Sequence, residues 1–145
     1  MKIQDLDTVY YFAYGHNTYT DTMTDRAPSA EFVGVGVLHN FQLSFHKYAN
    51  IQNHDGSQVQ GVVWRITRRD LNILDHDEGL HEHYARIPVE VHMQDHRVIE
   101  AMAYIMEPSY MPGVQPDAGY VRDVGRGYQQ HGISLRQLQD GLSRV

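Results

Sequence analysis

Short apolar runs in this chain recur without helix-sized segments regularly spaced between them, and that spacing limits the folds open to it. Six segments read as strands. They are 9–14, 30–38, 41–45, 61–66, 84–93 and 98–106, marked by β-branched and aromatic residues or by alternation of apolar and polar positions. Four short helices are interspersed near 18–26, 67–79, 116–128 and 134–142. Strict β-α alternation, which a doubly wound parallel sheet needs, is absent. The expected class is therefore α+β, with a curled or barrel-like sheet of about six strands and short flanking helices.

Within that frame Val33, Val35 and Val37 alternate with Gly34 and Gly36, which fits a close-packed or bent strand better than a phosphate loop. Phe41, Leu43 and Phe45 alternate with Gln42, Ser44 and His46. Residues 47–58 are polar and contain Asn-His-Asp-Gly at 53–56, which predicts a loop or hairpin tip and the most mobile part of the chain. Pro88 needs an edge or a position without a ladder hydrogen bond. Residues 98–106 are apolar on both faces and read as a central strand. Residues 107–116 hold two prolines and a glycine and read as a loop. Thr67, followed by Asp70, predicts a helix start that Gly79 closes, and Gly132 is expected to stop the helix reaching Tyr128. Ser134 to Gln137 reads as a capping box for a last helix with Leu135, Leu138 and Leu142 inward.

The 145 residues suffice for one domain, 1–145, with a core that needs no staples. There is no cysteine, so disulfides, thiolate metal sites and a cysteine nucleophile are excluded. Net charge is −6 and the longest basic run is Arg68-Arg69, which argues against nucleic acid as a partner. A small anionic ligand remains open, because a few local donors can hold one. The first seven residues carry acids where a secretory leader needs a continuous apolar run, and no stretch approaches a membrane span. A cytoplasmic protein, monomeric or homodimeric, with no membrane partner is expected. Ten histidines and ten tyrosines suit a small polar pocket as well as a core.

Two stretches can carry chemistry. The first is Val9 to Thr18, a strand running into Gly15, which can take a positive φ, and Asn17, which tolerates one. With Thr18 as a cap and Asp21 three residues later, a helix is expected to begin there. Such a turn points successive N–H groups at one spot and can hold a carboxylate or an oxyanion. His16 lies in the turn and can touch a ligand. The second is Leu71 to Gly79. On a helix Leu71, Leu74, Asp75 and Glu78 share one face, and the leucines mark it as inward. Burial and the helix C-terminus both disfavour an ionised Glu78, so its pKa is expected to rise toward neutrality, the range of a general base. A fraying helix end with Glu78 in water is the plainer alternative. Asp75 is expected to bind backbone groups or arginines. His81-Glu82-His83, with His76, His92 and His96 nearby, lacks an HExxH-like spacing, so no metal is expected. No P-loop, GxSxG or dinucleotide fingerprint occurs.

These pieces are similar, in order and spacing, to the γ-glutamylcyclotransferase-like superfamily, and to its AIG2-like branch. The similarity spans roughly Tyr10 to Leu142. Tyr11-Phe12-Ala13-Tyr14-Gly15-His16-Asn17 resembles the family's YFAYGSN loop, and Met23 and Arg26 resemble positions of its short helix. Phe41 to Phe45, Gly61-Val62-Val63-Trp64 and Leu74-Asp75-His76-Asp77-Glu78-Gly79 with Tyr84 resemble its strands and its EG motif. Ala103 to Met106 and Tyr128…His131-Gly132-Ile133 resemble its closing segments. The resemblance implies a small β-barrel with flanking helices and cofactor-free cyclisation of a γ-glutamyl substrate to 5-oxoproline. It implies Glu78 as the acid/base, main-chain donors at Tyr14, Gly15, His16 and Asn17, and Tyr84 and Tyr104 beside the pocket. His16 stands in place of the family's serine and Thr18 in place of Met or Leu, so altered specificity is expected. Asn40, where the family often has Asp, is taken as structural. A non-catalytic binder with a pocket remodelled by His16, and different amide chemistry on the same scaffold, are the alternatives.

Overall fold

The computed structural model describes residues 7–78 and 83–144. Five strands close into a barrel in the order β1-β3-β2-β4-β5. They are β1 (Thr8–Ala13), β2 (Glu31–His46), β3 (Tyr48–Thr67), β4 (Tyr84–Met93) and β5 (Val98–Met106). Four helices flank the barrel: α1 (Thr20–Arg26), α2 (Arg68–Glu78), α3 (Ala118–His131) and α4 (Leu135–Leu142).

The α+β barrel expected from the strand spacing is present, with one strand fewer than six. Two predicted strands, 30–38 and 41–45, are continuous in β2, which bends at Asn40 (φ 66°) where the register with β3 shifts. Asn40 is structural there, since its Oδ1 accepts a 3.1 Å bond from the Gly56 N–H. The expected loop at 47–58 is a correction, because it forms the first half of β3. Its polarity is real, but Phe41, Leu43 and Phe45 face it across the ladder, with Leu43 opposite Ile51 and Phe45 opposite Ala49. Paired backbone outweighs local turn propensity. The Asn-His-Asp-Gly signal survives only as a bulge between Asn53 and Gln58, with Gly56 at φ 85°.

Antiparallel pairing of β1 with β3 runs from Thr8 opposite Thr67 to Ala13 opposite Val62. Strand β4 pairs with β5 over its whole length but meets β2 only at Gly36–Met93 and Val37–His92. Pro88 therefore lies where β4 has no second neighbour, and its missing N–H costs no ladder bond. Strand β5 closes the barrel on β1 through a single parallel pairing, Tyr11 with Met102, so it is central only at that point.

Thr67 caps α2 as expected, accepting 3.0 Å from the Asp70 N–H. Gly132 ends α3 in the left-handed conformation, with the Ile133 N–H reaching back to the Tyr128 carbonyl. Ser134 caps α4 through the Arg136 N–H rather than in a reciprocal box. The Gln137 side chain instead bonds the Gln60 carbonyl and the Tyr128 hydroxyl. Leu138 is buried, but Leu135 is exposed, contrary to the inward face expected for it. The core is made by the strand interiors plus Met23, Leu71, Leu74, Val124, Tyr128 and Leu138 from the helices. Among the described residues no helix is long and apolar enough to cross a membrane.

Candidate active site

The turn after β1 and the end of α2 lie sixty residues apart in sequence and border one cavity of about 560 Å³. Its walls include Tyr14, Gly15, His16 and Asn17 from the turn and Asp77 and Glu78 from α2. Tyr84 and Tyr104 come from β4 and β5. All seven site residues expected from the sequence are thus brought together.

The turn is built differently from the expectation. Residues His16–Thr18 form one 3-10 turn, and α1 starts at Thr20 with no side-chain cap. Thr18 turns its hydroxyl back to the Gly15 carbonyl at 2.7 Å. Neither Gly15 nor Asn17 takes a positive φ. Glycine is needed at 15 for space: a Cβ there would lie 2.8 Å from Ala49 Cβ. Thr18 is the first residue whose N–H is bonded back into the turn, to Gly15 O at 3.1 Å. The preceding N–H groups are the ones a helix start leaves without an intrahelical acceptor.

Asn17 is buried, and its side chain is a junction. Its Nδ2 donates to the Tyr11 hydroxyl at 2.9 Å, and its Oδ1 accepts from Arg26 Nη1 at 2.9 Å. Its carbonyl accepts from Trp64 Nε1 at 2.9 Å. The Glu78 side chain is 20% exposed, and its Oε1 lies 3.9 Å from Arg26 Nη1. Burial pushes its carboxyl up to about 7, with Arg26 opposing that rise and Asp77 adding to it. An inward leucine face on α2 produces this burial, as the spacing indicated. The helix closure at Gly79, and His81 and Glu82, lie outside the described residues.

Five tyrosine hydroxyls of the wall, those of Tyr11, Tyr14, Tyr84, Tyr104 and Tyr120, have hydrogen-bond partners. Tyr104 donates to Asp75 Oδ1 at 2.6 Å, and Arg86 Nε stands 3.4 Å from the same oxygen, the orienting part expected of Asp75. Tyr14 donates to the Tyr104 carbonyl at 2.6 Å and Tyr84 to the Ala49 carbonyl at 3.2 Å. Tyr11 and Tyr120 instead accept, from Asn17 and from the Ala49 N–H. Among the described residues their own protons have no hydrogen-bond acceptor, which leaves them as donors toward the cavity. Burial raises all five phenols, so they stay neutral in the physiological range. Removing the Tyr104 hydroxyl (Tyr104→Phe) is expected to cost about 1.5–3 kcal/mol, as for a bond to a charged group. A lower denaturant midpoint with unchanged slope checks this.

His16 lines the cavity without closing it. Its Nε2 is 3.2 Å from Asp123 Oδ2 and 3.3 Å from Thr22 Oγ1, and its ring centre is 5.3 Å from that of Tyr120. Sequence reasoning singled out neither Tyr11 nor Tyr120 for the site, and named Arg26 only in the resemblance. Tyr11 had a signal, since it lies in β1, the strand that leads into the turn. Tyr120, Lys47, His83 and Tyr110 had none, because distant segments bring them to the cavity. Among the described residues no group of three or more His, Asp or Glu side chains could hold a metal ion.

A carboxyl held near neutrality in the wall of a tyrosine-lined pocket is the arrangement of an acid–base enzyme. Comparison with known proteins gives the family. The profile described as "Gamma-glutamyl cyclotransferase, AIG2-like" matches residues 11–124. The chain is 31% identical to human gamma-glutamylcyclotransferase over 97% of its own length and 80% of that protein's. It is 31% identical to the bovine protein of the same name over 100% of its length and 82% of the relative's. A solved structure of a gamma-glutamyl cyclotransferase superposes with a TM-score of 0.85 at 28% identity, covering 96% of this chain and 89% of that one. The chain belongs to the γ-glutamyl cyclotransferase, AIG2-like family and is an enzyme of that type.

Proposed function

We propose that this enzyme converts the γ-glutamyl group of a γ-glutamyl amine or amino acid into 5-oxoproline, without a cofactor, and releases the amine. The observation that carries the reading is that Glu78 and the 14–17 turn line one cavity. Ionised Glu78 takes a proton from the substrate's α-ammonium. The freed nitrogen attacks the γ-carbonyl carbon, and the carbonyl π pair moves to oxygen. Main-chain N–H groups of the turn hold the α-carboxylate or that oxyanion. Protonated Glu78 then gives its proton to the leaving nitrogen, the old C–N bond breaks, and the carbonyl re-forms in the ring. Of the three ammonium protons, one stays on the lactam nitrogen and one reaches the leaving nitrogen. The third leaves through Glu78 to the departing amine or solvent, restoring the carboxylate.

Attack is intramolecular, so holding a folded conformer supplies much of the acceleration, with effective molarities on the order of 10⁵ M or more. A single proton shuttle and an anion cradle then suffice. This reading goes with a cytoplasmic, single-domain enzyme taking a small-molecule substrate.

The test is incubation with a panel of γ-glutamyl amines and γ-glutamyl dipeptides, with 5-oxoproline read by mass spectrometry. Product from at least one member supports the reading. Tight binding with no product across the panel supports the sequestering alternative. The tether of His16 to Asp123 and Thr22 favours catalysis, since it holds the ring at the wall beside an open cavity. Because ionised Glu78 is the form that accepts the proton, kcat/KM is expected to rise with pH through about 7. A profile flat between pH 5 and 9, roughly two units either side of that value, would count against Glu78 as the base.

A further inference from the structure

Glu78 and the donor turn are joined by one side chain. Arg26 Nη1 is 2.9 Å from Asn17 Oδ1 and 3.9 Å from Glu78 Oε1, so a single nitrogen serves both. Arg26 is the last residue of α1. That helix is anchored by Met23, which is fully buried, and by the N–H of Ala27 bonded to the Met23 carbonyl at 2.8 Å. Asn17 is equally fixed, because Tyr11 and Trp64 engage its remaining groups. The planar guanidinium is therefore held by a buried amide and cannot swing into water without leaving Asn17 Oδ1 unpaired.

We propose that Arg26 is a positioning residue of the reaction: fixed by Asn17, it couples the oxyanion turn to Glu78 and supplies the counter-charge of the ionised carboxylate. The assignment rests on Glu78 being the base. An opposite charge within about 4–6 Å favours the charged form of a carboxyl. Here it opposes burial, which favours the neutral form. The two influences leave the carboxyl poised between accepting and donating, as a group that must do both requires.

The other ionisable groups around the carboxylate do not replace Arg26. Asp77 on the same helix acts in the opposite sense, and Tyr11, Tyr14, Tyr84, Tyr104 and Tyr120 are kept neutral by burial. His16, Lys47 and His83 line the same cavity, but among the described residues none makes an ion pair with Glu78. Among the described residues Arg26 is the one cation that does.

The experiment titrates the carboxyl directly. Carbon-13 NMR of glutamate side-chain carboxyls, assigned by comparison with Glu78→Gln, is recorded across pH for wild type, Arg26→Gln and Arg26→Lys. Arg26→Gln is expected to move the Glu78 midpoint up by about one pH unit, the lower end of the effect of a neighbouring opposite charge. Arg26→Lys is expected to restore most of that shift. The acid limb of kcat/KM should move by the same amount as the NMR midpoint. A midpoint unchanged in folded Arg26→Gln overturns the inference, as does an equal upward shift in both variants. Should Arg26→Gln fail to fold, Asn17→Ala, which frees the guanidinium, must shift the midpoint in the same direction for the inference to stand. NMR requires no turnover, so a shifting carboxyl in a protein that makes no 5-oxoproline sinks the catalytic reading and leaves the coupling intact.

Discussion

Glu78→Gln is expected to lower 5-oxoproline formation by about 10²–10⁴-fold, the range supplied by a positioned acid/base. Glutamine keeps the shape and the hydrogen-bonding reach of the side chain but cannot carry a proton between two nitrogens. The loss should fall on kcat with little change in KM, because substrate binding rests on the turn and the tyrosines. The same substitution should act oppositely on stability. Glu78 titrates near 7 in the fold against 4.5 when unperturbed, so the folded state binds its proton more tightly. Its contribution to stability is fully present below the unfolded value and is lost as pH rises through about 7. Above that pH the wild type carries a half-buried charge that the glutamine variant lacks. Glu78→Gln is therefore expected to be more stable than wild type at pH 8 by about 1–3 kcal/mol, at roughly 1.4 kcal/mol per unit of pKa difference. An inactive but stabilised variant separates a catalytic role from a structural one. Equal activity in the two proteins would remove Glu78 from the mechanism.

Gly127→Ala is expected to damage both fold and activity, through a contact far in sequence from the acid. Gly127 of α3 faces the turn after β1. A Cβ there would lie 2.6 Å from the Tyr19 nitrogen and 2.8 Å from the Thr18 carbonyl carbon, and would collide with Thr18 Oγ1. Two of these atoms are backbone, so rotating a side chain cannot relieve the overlap. Either α3 retreats or the 16–18 turn moves. Overpacking of this kind costs about 1–3 kcal/mol. A shift of about 1 Å in the donor groups can cost on the order of 100-fold in rate. Gly125→Ala is the control on the same helix, where the added carbon meets Leu138 Cδ2 at 3.6 Å, an ordinary contact. That variant should be neutral or gain up to about 1 kcal/mol from helix propensity. Thermal unfolding and turnover of the pair measure the prediction. Normal turnover in Gly127→Ala would show that the turn tolerates displacement.

The difference between the two glycines bears on how much of this protein was legible before its fold. Both sit in the same helical segment, and nothing local separates them, because the clash at 127 is made by residues more than a hundred positions away. Tyr120 is a similar case: it reads as a helix residue, yet its hydroxyl accepts from the Ala49 N–H and lies beside Gly15. Polar residues 47–58 misled for the same reason, since their strand depends on partners supplied by β2. Glu78 was legible because its burial follows from a helical period fixed within eight residues. Arg26 was marked by resemblance alone, and its coupling to Asn17 and Glu78 needed coordinates.

By itself the sequence determined the local chemistry of this protein. It placed an acid on the inward face of a helix end, a glycine turn after a strand, a set of strands too irregularly spaced for a doubly wound sheet, and the signature of a family. Those properties depend on periodicity, capping and steric limits acting over a few residues. The tertiary structure decided which distant groups share a cavity, why position 15 must be glycine, and which cation stands beside the acid. Such choices depend on close packing between segments joined only by closure of the barrel, and no local rule encodes which atoms meet there.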